Sequence, residues 1–211
     1  TKEAAVSNYA VNPILPSYEY IPDGEPYVFD GRVYLYGSHD RYNSDTWCDK
    51  YYIGWSAPID NLSDWRCEGE IFNREDDPNY TGGDMRLHAP DAAKGTDGKY
   101  YLYYSINGSN AIGVAVSDTP AGHYKYHGRV AYPDGTAIGN REGDPLPFDP
   151  AVFVDSDGRV YLYMGYVPGK EDYDKYVSLG RKVQGAFCVE LESDMKTIKS
   201  SDAVNVAPGR H

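Results

Sequence analysis

Residues 148–166 read FDPAVFVDSDGRVYLYMGY, and this stretch decides the fold. An acid beside a proline leads into a short apolar run. Asp157-Gly158 then turns the chain, which returns as a second run of alternating character. Asp-Gly between two such runs predicts a β-hairpin, because the tight turn needs a positive φ and glycine adopts one at little cost. The pattern recurs as PDGEPYVFDGRVYLYGS at residues 22–38 and as APDAAKGTDGKYYLYYS at residues 89–105. Aligned on their turns, the three copies make Asp30, Asp97 and Asp157 equivalent, and each copy has an acid at its entrance.

Outward from each hairpin lies a second, weaker pair of predicted strands. They are residues 50–58 and 64–72 after the first hairpin, 111–120 and 123–132 after the second, and 185–195 and 197–206 after the third. Repeated four-stranded antiparallel units predict an all-β fold, a β-propeller whose blades each place their first strand innermost. The blades fall near residues 13–80, 81–140 and 141–211, after a polar lead-in at 1–12. Residues 41–49, 74–86 and 168–181 read as surface loops. Three blades do not close a ring, for which about four is the lower limit. The expectation is therefore an incomplete propeller, with the missing blades on the remainder of the protein or on another chain.

Composition agrees. The 22 Tyr favour strands, while 22 Gly and 14 Pro supply turns. The formal net charge of −12 repels phosphate backbones and no basic stripe reverses it, so nucleic acid is excluded as a partner. No apolar run is long enough for a membrane helix. A neutral carbohydrate suits both the charge and the aromatic content, since rings stack on sugar faces. The odd cysteine count (Cys48, Cys67, Cys188) argues against a disulfide framework. Cys48 and Cys67 could pair if their strands are adjacent, and buried free thiols are the alternative.

Asp23, Asp91 and Asp149 each precede a hairpin, and in a propeller such positions converge at one mouth of the central channel. Carboxylates gathered there raise one another's pKa and can divide acid and base roles. The blander reading is that each caps a turn beside its proline. Of the other candidates, Trp47 in a loop could stack on a sugar, and His39 could line the loop face. His123 and His127 lie on a predicted strand with no obvious third ligand, so no metal site is expected of them.

NPIL at residues 12–15, then PDGEPYVFDGRVYLYGS, HAPDAAK at residues 88–94 and FDPAVFVDSDGRVYLY resemble glycoside hydrolase family 43 in order and spacing. The resemblance implies a five-bladed propeller and an inverting glycosidase, an α-L-arabinofuranosidase or β-xylosidase acting on plant cell-wall polysaccharides. It makes Asp23 the general base and Asp149 the acid that tunes pKa and orients. It places Asp91 in a W-A-P-D motif that begins here with His88 instead of Trp, and so makes His88 and Asp91 substrate-binding candidates. The family's general acid, a Glu opening the fourth blade, has no match in this sequence; Glu25 and Glu142 fit no motif. The resemblance implies no required cofactor, but allows a Ca²⁺ or Na⁺ ion in the axial channel, partly held by a later histidine for which His211 is a candidate. A secreted or periplasmic protein is expected. The alternatives are a carbohydrate-binding propeller without catalysis and an inactive fragment.

Overall fold

The computed structural model describes residues 9, 12–107, 110–199 and 203–206; the lead-in, apart from Tyr9 and Asn12, and His211 lie outside them. Three four-stranded antiparallel sheets follow one another along the chain. The first contains β1 (Glu25–Phe29), β2 (Arg32–Tyr36), β3 (Tyr52–Pro58) and β4 (Arg66–Phe72). The second contains β5 (Leu87–Lys94), β6 (Tyr100–Ile106), β7 (Ile112–Ser117) and β8 (Lys125–Arg129). The third contains β9 (Ala151–Val154), β10 (Val160–Met164), β11 (Phe187–Leu191) and β12 (Val204–Asn205). Each sheet is ordered as the chain runs, and β5 lies against both β1 and β9. The first strands are thus neighbours at the centre, as propeller blades require.

The three hairpins are not built alike. Phe29 pairs with Arg32 across two residues, Asp30 and Gly31, at φ 48° and 79°. In the third hairpin Asp155 and Arg159 close a three-residue loop, with Gly158 at φ 86°. The second follows the third, since Gly95 donates to the Lys99 carbonyl and Gly98 has φ 83°. Asp30 therefore takes a different turn position from Asp97 and Asp157, which corrects the alignment made on the turns. The tyrosines give the true register. Tyr36, Tyr103 and Tyr163 pair with Glu25, Asp91 and Ala151 respectively.

Blade packing explains the tyrosine content. On β6 every residue is buried: Tyr100, Leu102 and Tyr104 join the core shared with the first blade, while Tyr101 and Tyr103 join that shared with the third. Period-two alternation thus sends successive side chains to opposite interfaces. Tyr serves where Phe would not, because its hydroxyl crosses to a backbone oxygen on the far side. Tyr36 reaches the Pro120 carbonyl at 2.7 Å, Tyr52 that of His88 at 2.8 Å, and Tyr103 that of Met195 at 2.6 Å.

Residues 168–181, expected to be a loop, contain the helix α1 (Lys170–Ser178). Charges alternating with tyrosine disguised it. Glu171 and Asp172 in its first turn and Lys175 in its last oppose the helix dipole, which favours the helix locally. Among the described residues no helix is long and apolar enough to cross a membrane. All three cysteines are free, Cys48 buried and Cys67 exposed, so the pairing considered from the sequence does not form.

Candidate active site

Asp23 precedes β1 by two residues and Asp149 precedes β9 by two, and both adopt left-handed backbone, φ 55° and 50°. Asp tolerates that region better than most residues because its short polar side chain can bond locally. Gly37 makes the first bend possible. The entrance segment crosses it so closely that a Cβ there would strike Ile21 and lie 2.8 Å from the Pro22 carbonyl oxygen.

The residue at the matching place in the second blade is Ala89, φ 30°, and not Asp91. Asp91 lies two residues further on, inside β5 and 2% exposed, whereas Asp23 and Asp149 are accessible. The sequence reading of three equivalent entrance acids is corrected accordingly: two acids and an alanine stand at the mouth. Asp91 faces inward and ties the blades together. It accepts hydrogen bonds from the Tyr27 hydroxyl of β1 at 2.6 Å, from its neighbour's amide (Ala92) at 2.9 Å, and from the Val152 amide of β9. Burial pushes its carboxyl up to about 6, although these three bonds pull the other way. Asp91 is thus sealed among the strands and not open at the mouth, contrary to the substrate-binding expectation.

Ser38, fully buried, couples the first two entrances. Its hydroxyl donates to Asp23 at 3.0 Å and accepts from the Ala89 amide at 2.8 Å. The Asp149 carboxyl is raised, first by partial burial and then by the negative charge of Asp23. The two acids therefore feel each other across the mouth. Cys48 lies beside this pair as an inert thiol, pushed up to about 11 mainly by burial.

His88 and Trp47 lie together on the wall of one cleft of about 350 Å³. The loop carrying Trp47 is held by Arg86, whose guanidinium donates to the Trp47 carbonyl at 3.1 Å and lies 5.3 Å from its ring centre. Burial, then the charge of Arg86, lowers the His88 pKa, so its imidazole is neutral at neutral pH. Three aromatic cleft residues escaped the sequence reading: Phe148, Tyr166 and, from α1, Tyr176. Phe148 and Tyr166 were visible as the two ends of the opening stretch, which brackets the third hairpin.

His39 is not on the open face. It is 2% exposed, with Nδ1 3.1 Å from the Tyr51 carbonyl and Nε2 3.0 Å from Lys50 Nζ. His123 and His127 also part company: His127 bonds the Asp194 carbonyl, while His123 joins Glu70 and Asp76 in an exposed group. Among the described residues that group is the one set of His, Cys, Asp and Glu with metal-like spacing, with Glu70 on β4, Asp76 just after it and His123 just before β8. The described residues thus offer no comparable set at the axis for the ion that the resemblance allowed, and His211 is not among them.

Comparison with known proteins decides the family. The model of glycosyl hydrolases family 43 matches residues 12–210. The chain belongs to this family. A xylosidase/arabinosidase of Thermoclostridium stercorarium is 50% identical over 195 residues, covering 92% of the chain and 39% of that protein. Xylosidase/arabinosidase 43A of Humicola insolens is 36% identical, over 84% of the chain and 58% of its own length. Among solved structures, a family 43 β-xylosidase/α-arabinofuranosidase from a compost metagenome superposes with a TM-score of 0.68 at 27% identity, covering 94% of the chain and 62% of that structure. This family 43 chain therefore spans well under two thirds of the curated relatives' length.

Proposed function

We propose that this family 43 chain carries the general base and the orienting acid of an inverting glycoside hydrolase that cleaves arabinofuranosyl or xylosyl linkages of plant cell-wall polysaccharides, in a secreted or periplasmic setting. The observation that supports it is the matched pair at the mouth. Asp23 and Asp149 share one unusual backbone conformation and one position relative to their blades, are open to a ligand, and interact electrostatically.

In that reading Asp23 removes a proton from water as the water oxygen bonds to the anomeric carbon. The glycosidic C–O bond breaks on the opposite face, and the departing oxygen takes a proton from a carboxylic acid. That acid must lie roughly 6.5–9.5 Å from the base to leave room for water, and it comes from outside this sequence, on further blades. Ser38, donating to Asp23, fixes its rotamer. Asp149 supplies negative potential that keeps the acid protonated and favours the positive charge developing on the sugar ring.

The test is turnover of aryl α-L-arabinofuranoside and aryl β-xyloside by the protein together with the blades that supply the acid, unaltered and with Asp23→Asn. Loss of roughly 10³-fold or more in kcat, with fold retained, supports the assignment. Unchanged turnover sinks it.

A further inference from the structure

The first two blades are joined where β4 ends and β8 begins. These are the last strands of their sheets, farthest from the central β1, β5 and β9. There the Tyr124 amide of the second blade donates to the Ile71 carbonyl of the first at 2.8 Å. Beside that bond Glu70, Asp76 and His123, all exposed, bring two carboxylate oxygens and an imidazole nitrogen within 4.8 Å of one another. We propose that these three side chains bind a divalent transition cation of the zinc class, with water completing its shell, and that the ion clamps the first blade to the second. The site is separate from the axial channel, and the proposal does not depend on the glycosidase reading.

The donor set is held in place from outside itself. Each ligand is exposed, but its neighbour in the chain is buried: Ile71 beside Glu70, Asp77 beside Asp76 and Tyr124 beside His123. Asp77 accepts from the Tyr104 hydroxyl of β6 and from the Asn79 amide, both at 2.8 Å, so the second blade also anchors the acid that follows β4. His123 Nδ1 lies 3.2 Å from the Glu70 backbone carbonyl. A carbonyl only accepts, so Nδ1 donates and Nε2 presents its lone pair, 3.8 Å from Asp76 Oδ2. Metal-binding histidines ordinarily have such a bond on their other ring nitrogen. Ligand atoms around a tetrahedral zinc ion stand about 3.3 Å apart, so a set spread over 4.8 Å closes by about 1.5 Å at most, a small movement for exposed side chains.

Charge calls for a cation here. Two carboxylates stand together in a chain whose formal charge is already −12, and among the described residues their one ion-pair partner is His123 itself. Arg74, between them in sequence, turns away to the Met85 carbonyl at 3.1 Å and to the Tyr80 ring. Lys99 and Lys125 share a recess with His123 but pair with neither acid. Asn73 donates to one oxygen of each carboxylate, at 3.2 Å to Glu70 and 3.0 Å to Asp76, which orients both and leaves each a second oxygen for an ion. One imidazole and two carboxylates suit zinc and its neighbours. Calcium takes about six to eight oxygens, which this set does not supply.

The experiment uses the full protein without a histidine tag, stripped of metal by a chelator. Zn²⁺ and Ca²⁺ are titrated by calorimetry and followed by thermal melts, before and after His123→Ala or Asp76→Asn. His127→Ala is the control, because His127 bonds the Asp194 carbonyl outside the group. Zn²⁺ should bind more tightly than Ca²⁺, and at about a hundredfold excess over Kd it should raise Tm by about 5 °C or more. His123→Ala and Asp76→Asn should each weaken zinc binding roughly tenfold or more and cancel the rise, while His127→Ala leaves both as they were. The substituted side chains are exposed, and the melt of each metal-free variant checks that it folds. Zinc affinity that is indifferent to His123→Ala, falls equally with His127→Ala, or is weaker than that for calcium overturns the site.

Discussion

The mouths of the first and third blades and the mouth of the second are made from the same backbone bend and put to opposite uses. Asp23 and Asp149 place accessible carboxylates on the bend, while the second blade carries Ala89 there and moves its acid two residues inward. Between the left-handed Ala89 and Asp91 the β5–β6 register is irregular. That two-residue step separates a carboxylate that meets solvent from one sealed among three strands. In the proposed reading the accessible acids serve chemistry and the buried one serves cohesion.

The sharpest way to break this division is to neutralise one acid of each kind. Asp23→Asn should cost about 10³-fold in turnover with little change in melting temperature, whereas Asp91→Ala should do the reverse. The latter leaves the Tyr27 hydroxyl and the Val152 amide without an acceptor, a loss of about 3 kcal/mol or more in stability, read by denaturant melts. Equal effects on both properties would mean that the division does not hold.

Acid titration sharpens it next. Asp91 has a folded pKa of about 6, above its ordinary value. A carboxyl so raised favours the folded state fully below the unfolded pKa, near 3.9, and loses that contribution as pH rises through about 6. Stability from this group should therefore increase on going from pH 7 to pH 4, by on the order of 2–3 kcal/mol, and Asp91→Asn should abolish the dependence.

Two smaller effects bear on the bend itself. Ser38→Ala removes the link between Asp23 and the Ala89 amide and should cost about 1–2 kcal/mol in stability, with a fall in kcat as the base loosens. Ala89→Gly removes a Cβ from left-handed backbone, and should change stability by less than about 1 kcal/mol, since relieved strain and added chain entropy oppose each other.

Most of the architecture was legible in the sequence because turn chemistry and period-two alternation are local signals. The three hairpins and the paired strands that follow them stand where the residues indicated, except that the last, expected over residues 197–206, is reduced to Val204–Asn205. Spacing along the chain misled where the loops differed in length. Asp30, Asp97 and Asp157 look equivalent only if all three turns are alike, and an acid beside a proline drew the apparent entrance of the second blade to Asp91 instead of Ala89. The helix α1 was missed because its apolar content is low, and its tyrosines read as readily as loop residues. His39 was misplaced for a different reason. A histidine after a strand looks exposed until the partners that bury it, Glu19 from one segment and Lys50 and Tyr51 from another, are brought together.

Asp91 also acts as a rigid spacer. Because one carboxylate grips β1 and β9 at once, the gap between Asp23 and Asp149 is set by a span of packed strand and not by the loops around it. The peripheral segments near Trp47 and α1 can then breathe, lengthen or be replaced without detuning the pair.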